Sequence, residues 1–454
     1  MVKHKIILAV IFTIFIVFIN HTVHADGLIY GDAVIESIRH SANLRVKIEE
    51  IRISDAQYRE NFAGLYPTLN FAGRAERYEN IDTRNQTNID TIGNEVVGGN
   101  QSAWRSSMYL MGQYYLSHWY KKRYEAAYYE KLRDSSIHQC ETEAKKTLRD
   151  VTEIFGTLLE GKIKLKYSAE ILRRLQDILK MKKEAFTMGQ FSYEDVLKAE
   201  SDAVNMEKEI TKIKKEISET SLRLSGYTGS HYSENTEVEQ LILVGNLSLT
   251  EVKMVIAETP EYKARQKEME AIRYKEKAAG NNFLPDISIY GRYDFYNSSP
   301  ESLDASLRDT RPAAYSIGLL INLPLFDGGA KKWERQRNLY EIRKQEENIR
   351  ATFEEKNKDI KTLQAGYEAL SKQYKHYKKL NEQYEKMLEI SKKAYNLGER
   401  SKIDIFELEK DALAMERDLE ITEQSMAAYE KQFALELNFN EFVGEYGGDW
   451  ACKY

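Results

Sequence analysis

Two cysteines, six prolines and eight scattered histidines in 454 residues leave little room for several kinds of chemistry. Cys140 and Cys452 stand far apart and form no Cys-x-x-Cys pair, so neither a disulfide framework nor a zinc site is expected. There is no HExxH pair, no nucleophile motif and no phosphate-cradling glycine loop. Enzyme chemistry therefore has little to stand on, and no cofactor or metal is called for. A net charge of -5 on this length gives no reason to expect nucleic acid as a partner. With 30% charged residues and a mean hydropathy of -0.58, the composition excludes a bundle of membrane helices and points to long, solvated ones.

An apolar run opens the chain. Lys3 and Lys5 precede Ile6 to Ile19, and Val23-His24-Ala25 resembles a small-residue cleavage site. The run is shorter than the roughly 20 residues a spanning helix needs, so residues 1–25 read as a secretory signal cleaved near Ala25, with an uncleaved anchor as the alternative. No cysteine lies near that point to support a lipid anchor.

Beyond residue 25 the chain is a tandem duplication. Met188 to Leu197 reads MGQFSYEDVL and Tyr395 to Glu407 reads YNLGERSKIDIFE. Gly189, Ser192, Asp195 and Val196 fall on Gly398, Ser401, Asp404 and Ile405 at a shift of about 209 residues. Each glycine interrupts a helical pattern that resumes a few residues later, which describes a tight helix-to-helix corner. Pro67 and Pro285 likewise align, each ending a helix. The implied organisation is a first repeat over 26–225, a linker over 226–249, a second repeat over 250–437 and an irregular tail over 438–454.

After each proline the pattern changes to alternation. Leu69, Phe71, Gly73 and Ala75 interleave with Asn70, Arg74 and Glu76; Ile287, Ile289, Gly291, Tyr293 and Phe295 interleave with Ser288, Arg292 and Asp294. Polar stretches, Asn80 to Gln101 and Asn297 to Arg311, read as loops. Second extended runs come after them at Trp104 to Tyr115 and Tyr315 to Phe326, their register left open. Each repeat thus offers a two-stranded hairpin. Such strands suit either a membrane barrel completed by further chains or a small soluble sheet capping helices.

Two long rods come next, each of about 70 residues or roughly 105 Å. The first has a seam at 3,4 spacing from Ile137 through Cys140, Val151, Leu158 and Leu175 to Phe186, broken at Lys182. It places Cys140 in the core as a small apolar residue. The second runs from Ile360 through Tyr367 and Leu388 to Tyr395, interrupted by Asn381 and Ser391. Return helices carry seams of their own, Val196 to Leu224 and Ile405 to Phe433, matching position by position.

This ordered set, with Leu323-Pro324-Leu325-Phe326-Asp327-Gly328-Gly329 after the last strand and the corners at Gly189 and Gly398, resembles TolC-like outer-membrane efflux proteins. The resemblance covers nearly the whole chain after residue 25. It implies a mainly α protomer contributing four strands to a trimeric twelve-stranded barrel in outer-membrane lipid, continued by a long α-helical coiled-coil barrel in the periplasm of a Gram-negative bacterium. It implies a passive exit duct for tripartite efflux or type I secretion, working with a periplasmic adaptor and an inner-membrane ABC, RND or MFS transporter. By position, Asp404 and Glu407 would form a gate ring, six carboxylates in a trimer. Tyr395, Arg400 and Asp195 would supply closed-state links, with Glu194 as a competing acid for Arg400. Plain readings stand beside these: a solvated Asp/Glu pair, a core tyrosine, a periplasmic coiled-coil scaffold, or an enzyme using Asp404 and Glu407 as acid and base.

Overall fold

The structure, a computed structural model, describes residues 27–79, 103–245, 252–281, 284–446 and 452. The expected signal segment and the loop Asn80 to Gln101 lie outside the described residues. The first repeat comprises α1 (Tyr30–His40), α2 (Ala42–Ala63), β1 (Thr68–Tyr78), β2 (Ala103–Tyr115), α3 (His118–Thr187) and α4 (Tyr193–Thr228). The second comprises α5 (Val252–Glu258), α6 (Pro260–Gly280), β3 (Asp286–Ser299), α7 (Leu303–Arg308), β4 (Arg311–Asn322), α8 (Ala330–Asn396) and α9 (Lys402–Leu437), with α10 (Phe439–Glu445) after it. The rods α3 and α8 hold 70 and 67 residues. Among the described residues no helix is long and apolar enough to cross a membrane.

Two compact units share the chain. One is built from the described residues of Glu49–His138 and Lys263–Ala351. It contains a four-stranded antiparallel sheet in the order β1-β2-β3-β4. The register left open by the sequence is Leu69 opposite Gly112, Tyr114 opposite Ile289, and Ile289 opposite Leu319. Because side chains alternate, this register gathers Leu69, Phe71, Leu110, Tyr293, Ile317 and Leu319 on one face. Arg74, Glu76, Arg105, Arg292 and Asp294 share the other. The second loop differs from expectation: β3 continues to Ser299, and α7 is pinned to the strands by small polar side chains. Ser106 Oγ donates to the Ser306 carbonyl at 2.8 Å, and Asn297 Nδ2 to the same carbonyl at 2.9 Å. Ser106 and Ser306 are fully buried, so these bonds satisfy groups that water cannot reach.

The other unit is built from the described residues of Met1–Ile48, Gln139–Tyr262 and Thr352–Tyr454. Ile256, Ile360 and Phe433 form one of its core clusters, and Ile171, Leu175 and Ala203 another. Four charges are also enclosed here. Lys145 Nζ lies 2.6 Å from Glu436 and 3.4 Å from Glu261, while Lys356 Nζ lies 2.9 Å from Glu261. The Lys145 and Glu436 side chains are 2% and 4% exposed, which makes their mutual neutralisation obligatory. Burial pushes the Glu261 carboxyl up, but the Lys145 and Lys356 charges outweigh it and hold it below its ordinary value.

Two expectations are corrected in this unit. Cys140 is buried in its seam as the spacing implies, yet it is not a free thiol: it is bonded to Cys452, with Cα atoms 5.9 Å apart. Pairing across 312 residues leaves no mark in local spacing, because it depends on which surface of α3 the tail reaches. The tail, expected to be irregular, instead begins with α10. Part of the linker is ordered as well. α4 runs on to Thr228 and is capped by Gly229 at φ 77. Leu28 and Val238 form a parallel bridge, and the Val244 and Gly245 N–H groups both donate to the Glu430 carboxylate.

Candidate functional site at the two helix corners

Both corners are built by the same hydrogen bonds. At the first, Gly189 N–H donates to Phe186 at 2.9 Å and Gln190 N–H to Ala185 at 3.0 Å. At the second, Gly398 N–H donates to Tyr395 and Glu399 N–H to Ala394, each at 2.9 Å. This is the Schellman closure, which needs a left-handed residue after the helix; Gly189 and Gly398 supply it at φ 75 and 77. The next helix then starts from a capping box. Ser192 Oγ accepts from Asp195 N–H while Ser192 N–H donates to Asp195 Oδ2 at 3.1 Å. Ser401 and Asp404 repeat the arrangement, with Ser401 N–H 3.0 Å from Asp404 Oδ2.

The boxes give two of the candidate residues a local task. The Ser192 hydroxyl and backbone N–H hold the Asp195 carboxyl below its ordinary value. Asp404 and Glu407 are both exposed near the start of α9, on one helix face. Asp404 is tied to its own cap, whereas Glu407 Oε1 lies 3.6 Å from Lys182 Nζ on α3. Arg400 Nη1 donates to Ser391 Oγ at 3.1 Å, reaching back onto α8. Among the described residues no ion pair joins Arg400 to Asp195. The Tyr395 side chain is exposed.

Two of the three seam irregularities thus acquire partners beyond their own rod or past its corner. Lys182, which breaks the first seam, meets Glu407, and the buried Ser391, which interrupts the second, receives Arg400. The sequence signal is present as misfit residues at core positions, but the partner of each lies on another helix or past a corner. Further along, Arg174 Nε lies 3.0 Å from Glu409, and Tyr167 donates to Glu420 at 2.8 Å. Each corner is thus closed by a Schellman turn and opened again by a capping box, the same device in both repeats.

Residues 252–432 match the family model of the outer membrane efflux protein. By structure, the chain is similar to the outer-membrane protein VceC from Vibrio cholerae, at TM-score 0.74 and 16% identity over 90% of this chain and 95% of that one. It is also similar to CusC, at TM-score 0.73 and 16% identity over 89% and 91% of the two chains. The Campylobacter jejuni outer-membrane channel CmeC is similar at TM-score 0.70 and 16% identity, over 94% and 87%. No curated protein matches. The chain has the fold of outer-membrane channels, and its resemblance to TolC-like outer-membrane efflux proteins rests on the second repeat by sequence and on most of the chain by fold.

Proposed function

We propose that the protein is a trimeric outer-membrane exit duct, a passive channel without catalysis whose periplasmic tip opens when an adaptor and an inner-membrane pump engage it. The observation that carries this reading is the sheet. Among the described residues its edge strands β1 and β4 each pair on one side only, and the apolar face is bare: Phe71 is 67% exposed and Ile317 80%. An open edge is not tolerated in lipid, and four strands are too few to close. Three copies closing edge to edge give twelve strands, with the apolar face toward lipid and the Arg74, Arg292 and Asp294 face toward a wet lumen.

A second observation supports export from the cytoplasm: the Cys140–Cys452 disulfide suits an oxidising compartment. In this reading Asp404 and Glu407 line the pore at the corners as a cation-attracting ring. Tyr395, Arg400 and Asp195 steady the closed corners, Arg400 through Ser391 and Asp195 through the Ser192 cap. Gly189 and Gly398 permit the turns. Energy comes from an ABC, RND or MFS pump, and the exported substrate is chosen there. Fractionation of cells and then native mass measurement test the assembly. Three copies extracted by detergent from outer membranes are expected; a water-soluble monomer released without detergent would put a periplasmic scaffold in its place.

A further inference from the structure

The polar face of the sheet carries more positive charge than negative. Arg74, Arg105 and Arg292 project from it, and Arg311 joins them opposite Tyr296, which alternates in step with Asp294. The acids of this face are Glu76, Asp286 and Asp294, and each has a base beside it. Glu76 is paired with Arg74, Asp294 Oδ1 lies 2.7 Å from Arg292 Nη2, and Asp286 Oδ1 lies 2.6 Å from Lys121 Nζ on α3. Among the described residues, Arg105 and Arg311 are thus in excess over the acids of the face. Both stand towards one end of the sheet. The strands meet the helices at Thr68, Tyr115, Asp286 and Asn322, whereas Arg105 and Arg311 lie near the far ends of β2 and β4, two strand spacings or about 10 Å apart across β3. Arg105 is laid flat, its Cζ 3.6 Å from the centre of the Tyr78 ring. A guanidinium stacked on an aromatic face keeps its N–H fork in its own plane, where it can meet carboxylate or phosphate oxygens two at a time. The helix α7 does not cover this face, because Ser106 and Asn297, which pin it, alternate to the apolar side. Arg311 is exposed.

We propose that Arg105 and Arg311 form a cationic collar at the outer mouth of the duct, six arginines in a trimer, which binds multivalent oxyanions: the phosphate or carboxylate groups of cargo in transit. The inference rests on the channel reading above, which turns this face to the lumen. The arginines suit the task better than lysines would, since a planar fork matches an oxyanion and is less strongly hydrated than an ammonium. Twelve strands leave a wet bore, so small cations still pass the collar while a polyanion is held by several guanidinium groups at once.

The test is block of single channels in a planar bilayer by inorganic tripolyphosphate, added to one chamber at a time. Block is expected at lower concentration from the extracellular side than from the periplasmic side, and it should weaken as salt is raised. A contact between exposed charges shifts an equilibrium by roughly two- to fivefold, so Arg311→Gln should raise the half-blocking concentration by about that factor and Arg105→Gln with Arg311→Gln by roughly tenfold. Arg311→Lys should keep most of the block and Arg311→Glu should abolish it. Arg311 is exposed on an edge strand, so its variants read the collar even if the half-buried Arg105 cannot be replaced without loss of the fold. If wild type conducts but tripolyphosphate blocks from neither side, or blocks Arg311→Gln and the double variant as well as wild type, there is no collar. Equal loss of block in Arg311→Lys and Arg311→Gln would also overturn the inference, since charge would then not be the cause. A wild type that forms no channel removes the channel reading and the collar with it, an outcome visible before any probe is added.

Discussion

The enclosed charges of Lys145, Lys356, Glu261 and Glu436 make a prediction whose sign separates competing accounts. Two lysines and two glutamates cancel, so the group is neutral as it stands. Lys145→Met removes one positive charge and leaves Glu436, 4% exposed, without its 2.6 Å partner and with only Lys356, 3.9 Å away and shared with Glu261, to face it. Breaking a buried pair in this way costs about 3–5 kcal/mol. Adding Glu436→Leu removes the stranded charge and leaves Lys356 with Glu261 at 2.9 Å, a neutral pair. The double variant should therefore be more stable than Lys145→Met alone, recovering at least about 1–2 kcal/mol of the loss, because apolar replacement of a buried pair is often close to neutral. Urea unfolding monitored by far-ultraviolet circular dichroism reads both values at matched protein concentration. A loss below about 0.5 kcal/mol for Lys145→Met, or additive losses in the double variant, would refute the claim that these charges depend on one another.

Single features carry the remaining predictions. Glu261 is held below the ordinary glutamate range, so its contribution is complete above the unfolded-state value and is lost as pH falls through the folded one. Stability measured by urea titration should thus decline on acidification below about pH 4.3, and less steeply in Glu261→Gln. Gly229→Ala should destabilise by about 1–3 kcal/mol in the same assay, since a left-handed φ is costly and the new Cβ would collide with the His40 ring. Ser401→Ala should cost about 1 kcal/mol by releasing the cap of α9, and should speed amide exchange in the first turn of that helix. Cys452→Ser should lower stability by roughly 2–5 kcal/mol and abolish the difference in gel mobility between reduced and unreduced protein.

Much of the fold is legible in the sequence because its signals are periodic. The two prolines, the change from 3,4 spacing to alternation and the glycine corners are local rules repeated at a fixed shift; the long helices and the first three strands fall close to where these rules put them, whereas β4 runs from Arg311 to Asn322 and not from Tyr315 to Phe326, and α7 and α10 form where irregular chain was expected. Contacts between distant segments are not legible. Cys140 reads as a core residue and is one, but no spacing rule connects it with Cys452. The four enclosed charges stand on α3, α6, α8 and α9, and in the sequence each resembles any solvated lysine or glutamate. At the corners the Ser-x-x-Asp spacing is visible, while its consequence, that Asp195 and Asp404 cap their own helices, appears only with the hydrogen bonds. Lys182 shows in the sequence as a break in the seam. Its meaning requires the neighbouring helix.

The central claim is that the chain assembles into a conducting duct with an acidic constriction at the corners. Conductance of the detergent-purified protein in a planar bilayer tests it most directly, with wild type beside Asp404→Asn combined with Glu407→Gln. The amide at Asp404 can still accept the Ser401 N–H, so charge is removed while the cap is kept. Small cation-selective steps that enlarge and lose selectivity in the double variant are predicted. Absence of channel activity from trimeric protein would contradict the duct, and large steps indifferent to both substitutions would contradict the constriction.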